Sequence, residues 1–192
     1  PDPNPAQRVI LMYHGVAEWP SFNCVTVGRF REQLAYVRAH YQVVPLTELI
    51  GHVLTRNATD GPLVALTFDD AYRNFLTLAY PVLSELKLPA GLAIPTGHVG
   101  GVNQWDIDRG HPALKLMSWL ELRELDPFLI EFGSHSVTHR SFGTLSPAEI
   151  REEARRSKEA ACSSTFRRAS RWRDRSGSSS RGALPTSSPS RT

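Results

Sequence analysis

One stretch constrains this chain more than any other. Val64-Ala65-Leu66-Thr67-Phe68 is a short apolar run that follows the turn-forming Gly61-Pro62, and it ends abruptly in Asp69-Asp70. A run of that length after a turn signal reads as a buried strand. Two adjacent carboxylates are expensive to bury, so the strand has to end at a mouth. Because strand side chains alternate, the two aspartates point to opposite sides of the strand end and serve different neighbours.

The rest of the chain alternates in kind. "RVILMYH" (8–14) reads as a strand ending in His14, and "PAGLAIPTG" and "FLIEFGSHSVTH" read as two more. Between them come helical spacings: Phe30, Leu34 and Val37 in one segment, and Leu46, Leu49, Ile50 and Val53 on one face of a second. Tyr72, Phe75, Leu76 and Ala79 mark a third. "YQVVPL" is either a minor strand or a loop, and residues 98–115 form a long aperiodic loop suited to the wall of a site. Ser118 is placed to cap a short helix, and Ser146-Pro147-Ala148-Glu149 is a capping box opening a longer one, with Ile150 and Ala154 inward. Strands alternating with helices predict an α/β fold on a parallel sheet.

Three polar clusters then fall at predicted strand ends: His14, Asp69-Asp70, and "SHSVTH" with His135 and His139. In parallel α/β sheets such ends share one edge, and sites gather there. His135 and His139 are four apart, close enough on a helical turn or a tight loop to reach one ion. Asp70 completes a set of two histidines and a carboxylate that leaves positions open for water and substrate. Asp69 is then free to take a proton from an activated water. Trp105 and Tyr72 offer flat rings on which a substrate can stack, and Trp105 is placed equally well to fill the core.

The formal charge of +3 belongs to the end of the chain. From Arg167 to Thr192 there are seven Arg against one Asp, while residues 1–166 hold 15 basic and 18 acidic residues. The body therefore gives no reason to expect a nucleic-acid partner, and with one aromatic among the arginines the tail gives little more. No apolar run is long enough to span a membrane. Cys24 and Cys162 lie far apart and outside any CxxC pattern, so neither a disulfide framework nor a cysteine-ligated metal is expected.

"LMYHGV", "ALTFDDAY", "PTGHVGGVNQWD" and "EFGSHSVTH" together, in this order, resemble the polysaccharide deacetylases with a NodB-homology domain (carbohydrate esterase family 4). The opening motif is similar to the branch acting on poly-N-acetylglucosamine. The resemblance implies a distorted (β/α) barrel and a divalent metal, usually zinc, held by Asp70, His135 and His139. It also implies Asp69 as catalytic base, His14 lining the active site, and hydrolysis of acetyl groups on a polysaccharide in a secreted, periplasmic or envelope setting. No signal peptide is visible in the chain. The family usually carries Gly after the paired aspartates, where this sequence has Ala71. It also continues past "SHSVTH" into a strand with an Arg-x-Pro-Tyr-like motif and a later histidine acid, which find no match. The expected organisation is thus a short N-terminal segment (1–7), a partial deacetylase domain (8–161) whose C-terminal part is missing, and a disordered Arg/Ser-rich tail (162–192) of frameshift or truncation origin. A non-catalytic remnant that binds metal or glycan is the competing expectation.

Overall fold

The computed structural model describes Asn4, residues 6–55 and residues 61–165, with the backbone alone at 164 and 165. In chain order the elements are β1 (Arg8–Tyr13), β2 (Gly15–Ala17), β3 (Cys24–Thr26), α1 (Val27–His40), β4 (Gln42–Val43), α2 (Leu46–Thr55) and β5 (Leu63–Phe68). A π-helical turn (Phe75–Ala79) runs into α3 (Tyr80–Leu86), followed by β6 (Ala90–Ile94), α4 (Gln104–Ile107), α5 (Trp119–Leu122), β7 (Ile130–Ser134), a 3-10 turn (Phe142–Thr144) and α6 (Pro147–Thr165).

The main sheet is parallel, in the order β1-β5-β6-β7, with β4 also paired to β5. Register brings Tyr13 opposite Phe68, Phe68 opposite Leu92, and Leu92 opposite Phe132. All the C-terminal strand ends therefore lie along one edge, and His14, Asp69-Asp70 and the His135–His139 loop emerge side by side. This is the α/β architecture with helical crossovers that the alternation predicts.

β5 is buried on both faces, which is why its sequence is a continuous apolar run. Leu66 and Phe68 enter the main core with Phe30 and Leu34 of α1, Phe75, and Val82 and Leu83 of α3. Phe68 sits 5.2 Å from Tyr13, 5.8 Å from Phe30 and 4.8 Å from Phe75 between ring centroids. Each such ring contributes roughly 1.5–3 kcal/mol through burial. The opposite face, Leu63 and Ala65, packs on Val44, Leu46 and Leu49. α1 begins where Thr26 accepts a hydrogen bond from Arg29 N–H and buries Phe30, Leu34 and Val37, the predicted stripe. Ser118 and Ser146 both form full capping boxes, with Glu121 and Glu149.

Three expectations need correction, and one pair of strands was not anticipated. On α2 only Leu49 is buried, against Leu63 and Ala65 of β5; Ile50 and Val53 are 44% and 55% exposed. On α6 the inward face runs through Ile150, Glu153, Ser157 and Ala161, leaving Ala154 exposed. That helix also continues through Cys162–Thr165, past the domain end set at 161, with the Ser163 hydroxyl donating to Ala160 C=O. The remainder of the predicted tail, from 166, lies outside the described residues. Finally, β2 and β3 form a separate two-stranded parallel pair that the sequence reading missed. Gly15 is required there: a Cβ would meet Cys24 Sγ at 2.7 Å and Asn74 Nδ2 at 2.8 Å.

Among the described residues β1 and β7 each pair along one side only, and the sheet is not closed into a barrel. Ile10 and Met12 on β1 are 52% and 55% exposed.

Candidate metal centre

Asp70 follows β5 in a left-handed conformation (φ 70°), and Ala71 repeats it (φ 51°). Two consecutive residues in that region turn the chain sharply at the strand end and carry the Asp70 carboxylate inward, where it is 1% exposed. This is the position where Gly is usual in the family the sequence resembles. Ala71 occupies it at a cost of order 1 kcal/mol, held by its buried methyl and by its carbonyl, which accepts from Met117 N–H at 2.9 Å.

His135 and His139 lie on a tight loop after β7 and not on a helix. Ser136 (φ 62°) and His139 (φ 56°) are also left-handed. Such a loop persists only where its surroundings over-determine it. From one side Thr96 N–H and hydroxyl donate to Ser136 C=O, and Gly97 N–H donates to Val137 C=O at 3.0 Å. From the other, Glu153 of α6 accepts from Val137 N–H (2.7 Å), Thr138 N–H (2.9 Å) and the Thr138 hydroxyl (2.9 Å). Ser136 Oγ accepts from His139 N–H at 3.0 Å.

These constraints aim both imidazoles at one oxygen. Asp70 Oδ1 lies 3.0 Å from His139 Nε2 and 3.6 Å from His135 Nε2. One ligating atom from each of the three residues lies within 4.8 Å of the others. Asp70 Oδ1 is nonetheless buried without a properly aligned hydrogen bond. An orphaned carboxylate oxygen facing two imidazole nitrogens fits a divalent cation, and the donor set of two His and one Asp is that of an open metal site.

Electrostatics favour the same state. Burial pushes the Asp70 carboxyl up, but His139, and then His14 and His135, pull it further down, so it sits below the usual carboxylate range. Burial holds the His135 imidazole below its usual value, against the opposing pull of Asp69 and Asp70. Both shifts favour the protonation states that bind metal.

Asp69 is half-buried, and its backbone N–H donates to Tyr13 C=O at 2.9 Å, locking the end of β5 to β1 and to His14 just beyond. Its charge acts on His135, as that of His14 acts on Asp70 and His135. The structure thus brings His14, Asp69, Asp70, His135 and His139 to one locale.

The two aromatic candidates part ways. Tyr72 is fully buried and donates its hydroxyl to Asp106 Oδ2 at 3.1 Å, so it cannot stack on a sugar. Burial first, then the negative charges of Asp70 and Asp106, push its phenol far up. Trp105 lies flat against His139, with ring centroids 3.9 Å apart and planes at 25°. Glu153 was not singled out in the sequence; the available signal was its place at i+3 from Ile150 on the buried face of α6.

A cavity of about 340 Å³ opens beside the two histidines, lined by Ser134, His135, Ser136, His139, Arg140, Ser141 and Phe142.

Known proteins resemble this chain in sequence and in fold. The chain is 31% identical over 146 residues to the poly-beta-1,6-N-acetyl-D-glucosamine N-deacetylase of Escherichia coli (strain K12), a match covering 67% of this chain and 20% of that protein. The chain therefore spans about a fifth of the length of that curated relative. The fold matches IcaB from Ammonifex degensii with a TM-score of 0.69 at 24% identity, over 81% of this chain and 68% of that one. It matches the Streptococcus pyogenes deacetylase PplD, solved with acetate, with a TM-score of 0.69 at 22% identity, over 84% and 70%. The sequence profile of the polysaccharide deacetylases matches residues 56–187, and with more than half of the chain inside that match the protein belongs to the polysaccharide deacetylase family.

Proposed function

We propose that the chain carries the metal centre and catalytic base of a hydrolase that removes N-acetyl groups from a polysaccharide, with poly-β-1,6-N-acetylglucosamine as the reference substrate. The observation that carries this reading is the buried Asp70 Oδ1, unpaired and faced by the Nε2 atoms of His135 and His139, with Asp69 on the adjoining residue.

Asp70, His135 and His139 would hold one divalent cation, zinc being the usual one for such a donor set. When bound it supplies Lewis-acid polarisation of the acetyl carbonyl and a water of lowered pKa. Asp69, half-buried and in reach of solvent, takes the proton from the water as its oxygen bonds to the acetyl carbon. The proton held by Asp69 then passes to the departing nitrogen as the carbon–nitrogen bond breaks, giving acetate and a free amine on the sugar. Tyr72 and Asp106 lie behind Asp70 and hold their own proton in a buried hydrogen bond. His14, just past the end of β1 and near enough to act electrostatically on Asp70 and His135, would stand beside the reacting groups. A polymeric substrate of this kind places the reaction at or beyond the cell envelope. No helix among the described residues is long and apolar enough to cross a membrane.

The test is acetate release from poly-β-1,6-N-acetylglucosamine oligomers with one equivalent of Zn²⁺, with and without chelator. Chelator-sensitive release that disappears in Asp69→Asn supports the reading. Binding of metal or glycan without any release would favour a non-catalytic chain.

A further inference from the structure

Trp105 has a place in this site that neither reading of the sequence anticipated. Its indole covers one face of the His139 ring at 3.9 Å between centroids, a close, nearly parallel stack. Its other neighbour is His98, edge-on at 5.0 Å and 82°. His98 Nε2 in turn lies 3.2 Å from Thr138 C=O, on the loop that carries His139. Indole, His98 and the ligand loop thus close a small ring of contacts around one imidazole.

The indole is delivered by a rigid piece of chain. Asp106, the next residue, is buried and accepts hydrogen bonds from the Tyr72 hydroxyl and from Asn103 Nδ2, both at 3.1 Å. Asn103, fully buried, also donates to Pro112 C=O and accepts from Leu114 N–H at 2.6 Å. The short helix α4 therefore fastens at two neighbouring positions. Asp106 ties it to Tyr72, close behind Asp70, and Trp105 covers His139.

Metal-ligating histidines are ordinarily oriented by a hydrogen bond from the second ring nitrogen to a protein acceptor. Among the described residues no protein group accepts from His139 Nδ1, while the backbone at this residue is in the left-handed region. Besides the approach of Nε2 to Asp70 Oδ1 at 3.0 Å, the orientation of the ring rests on the stack.

We propose that Trp105 is a positioning residue for His139, fixing the imidazole so that Nε2 faces Asp70 and His135, and that its fluorescence consequently reports occupancy of that site. This rests on the reading of Asp70, His135 and His139 as a metal centre. An aromatic ring of either kind can provide the flat face, but only tryptophan provides the strong emission. Positioning and signal can therefore be separated by substitution.

The experiment uses the full chain and two probes, Co²⁺ for emission and Zn²⁺ for affinity by chelator competition, on wild type, Trp105→Phe, Trp105→Leu and His139→Ala. In wild type, one equivalent of Co²⁺ should quench a distinct part of the tryptophan emission. Trp105→Phe should lose that quenching and keep its Zn²⁺ affinity within about threefold. Trp105→Leu should bind Zn²⁺ roughly tenfold or more weakly, as removal of an orienting partner does elsewhere. Equal Zn²⁺ affinity in Trp105→Leu, or quenching that survives in Trp105→Phe, overturns the proposal while leaving the metal centre standing, provided His139→Ala loses metal. Wild type that binds neither ion overturns both. Should the leucine variant fail to fold, Trp105→Phe alone decides: retained quenching or a large loss of affinity refutes the assignment.

Discussion

Glu153 is the residue whose removal should expose how the metal centre is built. It sits on α6, well beyond the candidate ligands His135 and His139 in sequence, yet accepts three hydrogen bonds from the loop between them, at 2.7, 2.9 and 2.9 Å. That loop carries two left-handed non-glycine residues, Ser136 and His139, each costing of order 1 kcal/mol. Glu153→Ala removes every acceptor. At about 1 kcal/mol net per bond, less a discount because Thr138 can turn to water, the loss comes to roughly 2–3 kcal/mol. For a domain of this size that lowers Tm by roughly 5–10 °C. Glu153→Gln keeps one oxygen for the backbone pair and loses the charge, so it should cost about half as much. The effect on metal should be larger in proportion, about 10- to 100-fold in affinity, since the loop then has to be ordered by the ion itself. The pH dependence has a definite sign. Burial pushes the Glu153 carboxyl up, but hydrogen bonds from Thr138 and Val137 outweigh it and hold it below the ordinary value. A depressed acid stabilises the fold above its unfolded-state pKa, ~4.3, and that stabilisation fades as pH falls through the lower folded value. The gap between wild type and Glu153→Ala should accordingly be full at neutral pH and close in acid. Thermal unfolding by circular dichroism at pH 7 and pH 3.5, with Zn²⁺ competition at pH 7, tests this. An alanine variant that melts with wild type and binds Zn²⁺ equally well would refute the reasoning.

Three further outcomes follow from the same geometry. Gly97→Ala places a Cβ 2.5 Å from Val137 C=O and should displace the ligand loop, costing about 1–3 kcal/mol in urea unfolding along with metal affinity; an unchanged midpoint would show the loop to be freely adjustable. Ala71→Gly relieves left-handed strain but loses a buried methyl worth about 0.8 kcal/mol and frees the unfolded chain, so its stability should stay within about 1 kcal/mol of wild type, whereas Ala71→Val should cost well over that. Because burial lowers His135, Zn²⁺ affinity should hold through neutral pH and fall by half only below roughly pH 6.5, as protons compete for the imidazole; a midpoint above pH 7 would contradict the assigned environment.

Much of the candidate site's layout was legible because its residues sit at strand ends. An apolar run halted by Asp69-Asp70, and another running into His135 and His139, needed only a parallel sheet to be neighbours, and the register supplies it. The capping boxes at Ser118 and Ser146 were readable for a similar reason: they are local, four residues long, and decided by side chain and backbone together. What escaped was set by tertiary context. The faces of α2 and α6 depend on what each helix packs against, and in α6 a glutamate turns inward because backbone donors of the ligand loop await it. The π-helical turn after Asp70 breaks the regular spacing that Tyr72 and Phe75 suggest. Trp105 could not be assigned from sequence, since nothing local distinguishes an indole that meets a sugar from one that meets a histidine.

The most direct test of the central claim is metal content per chain after exhaustive dialysis, measured on wild type, Asp69→Asn and His139→Ala prepared side by side. Asp70, His135 and His139 as ligands with Asp69 as base predict about one equivalent of zinc in wild type and in Asp69→Asn, and a sharp loss in His139→Ala. A full equivalent retained by His139→Ala, or zinc lost from Asp69→Asn in place of it, would contradict the account.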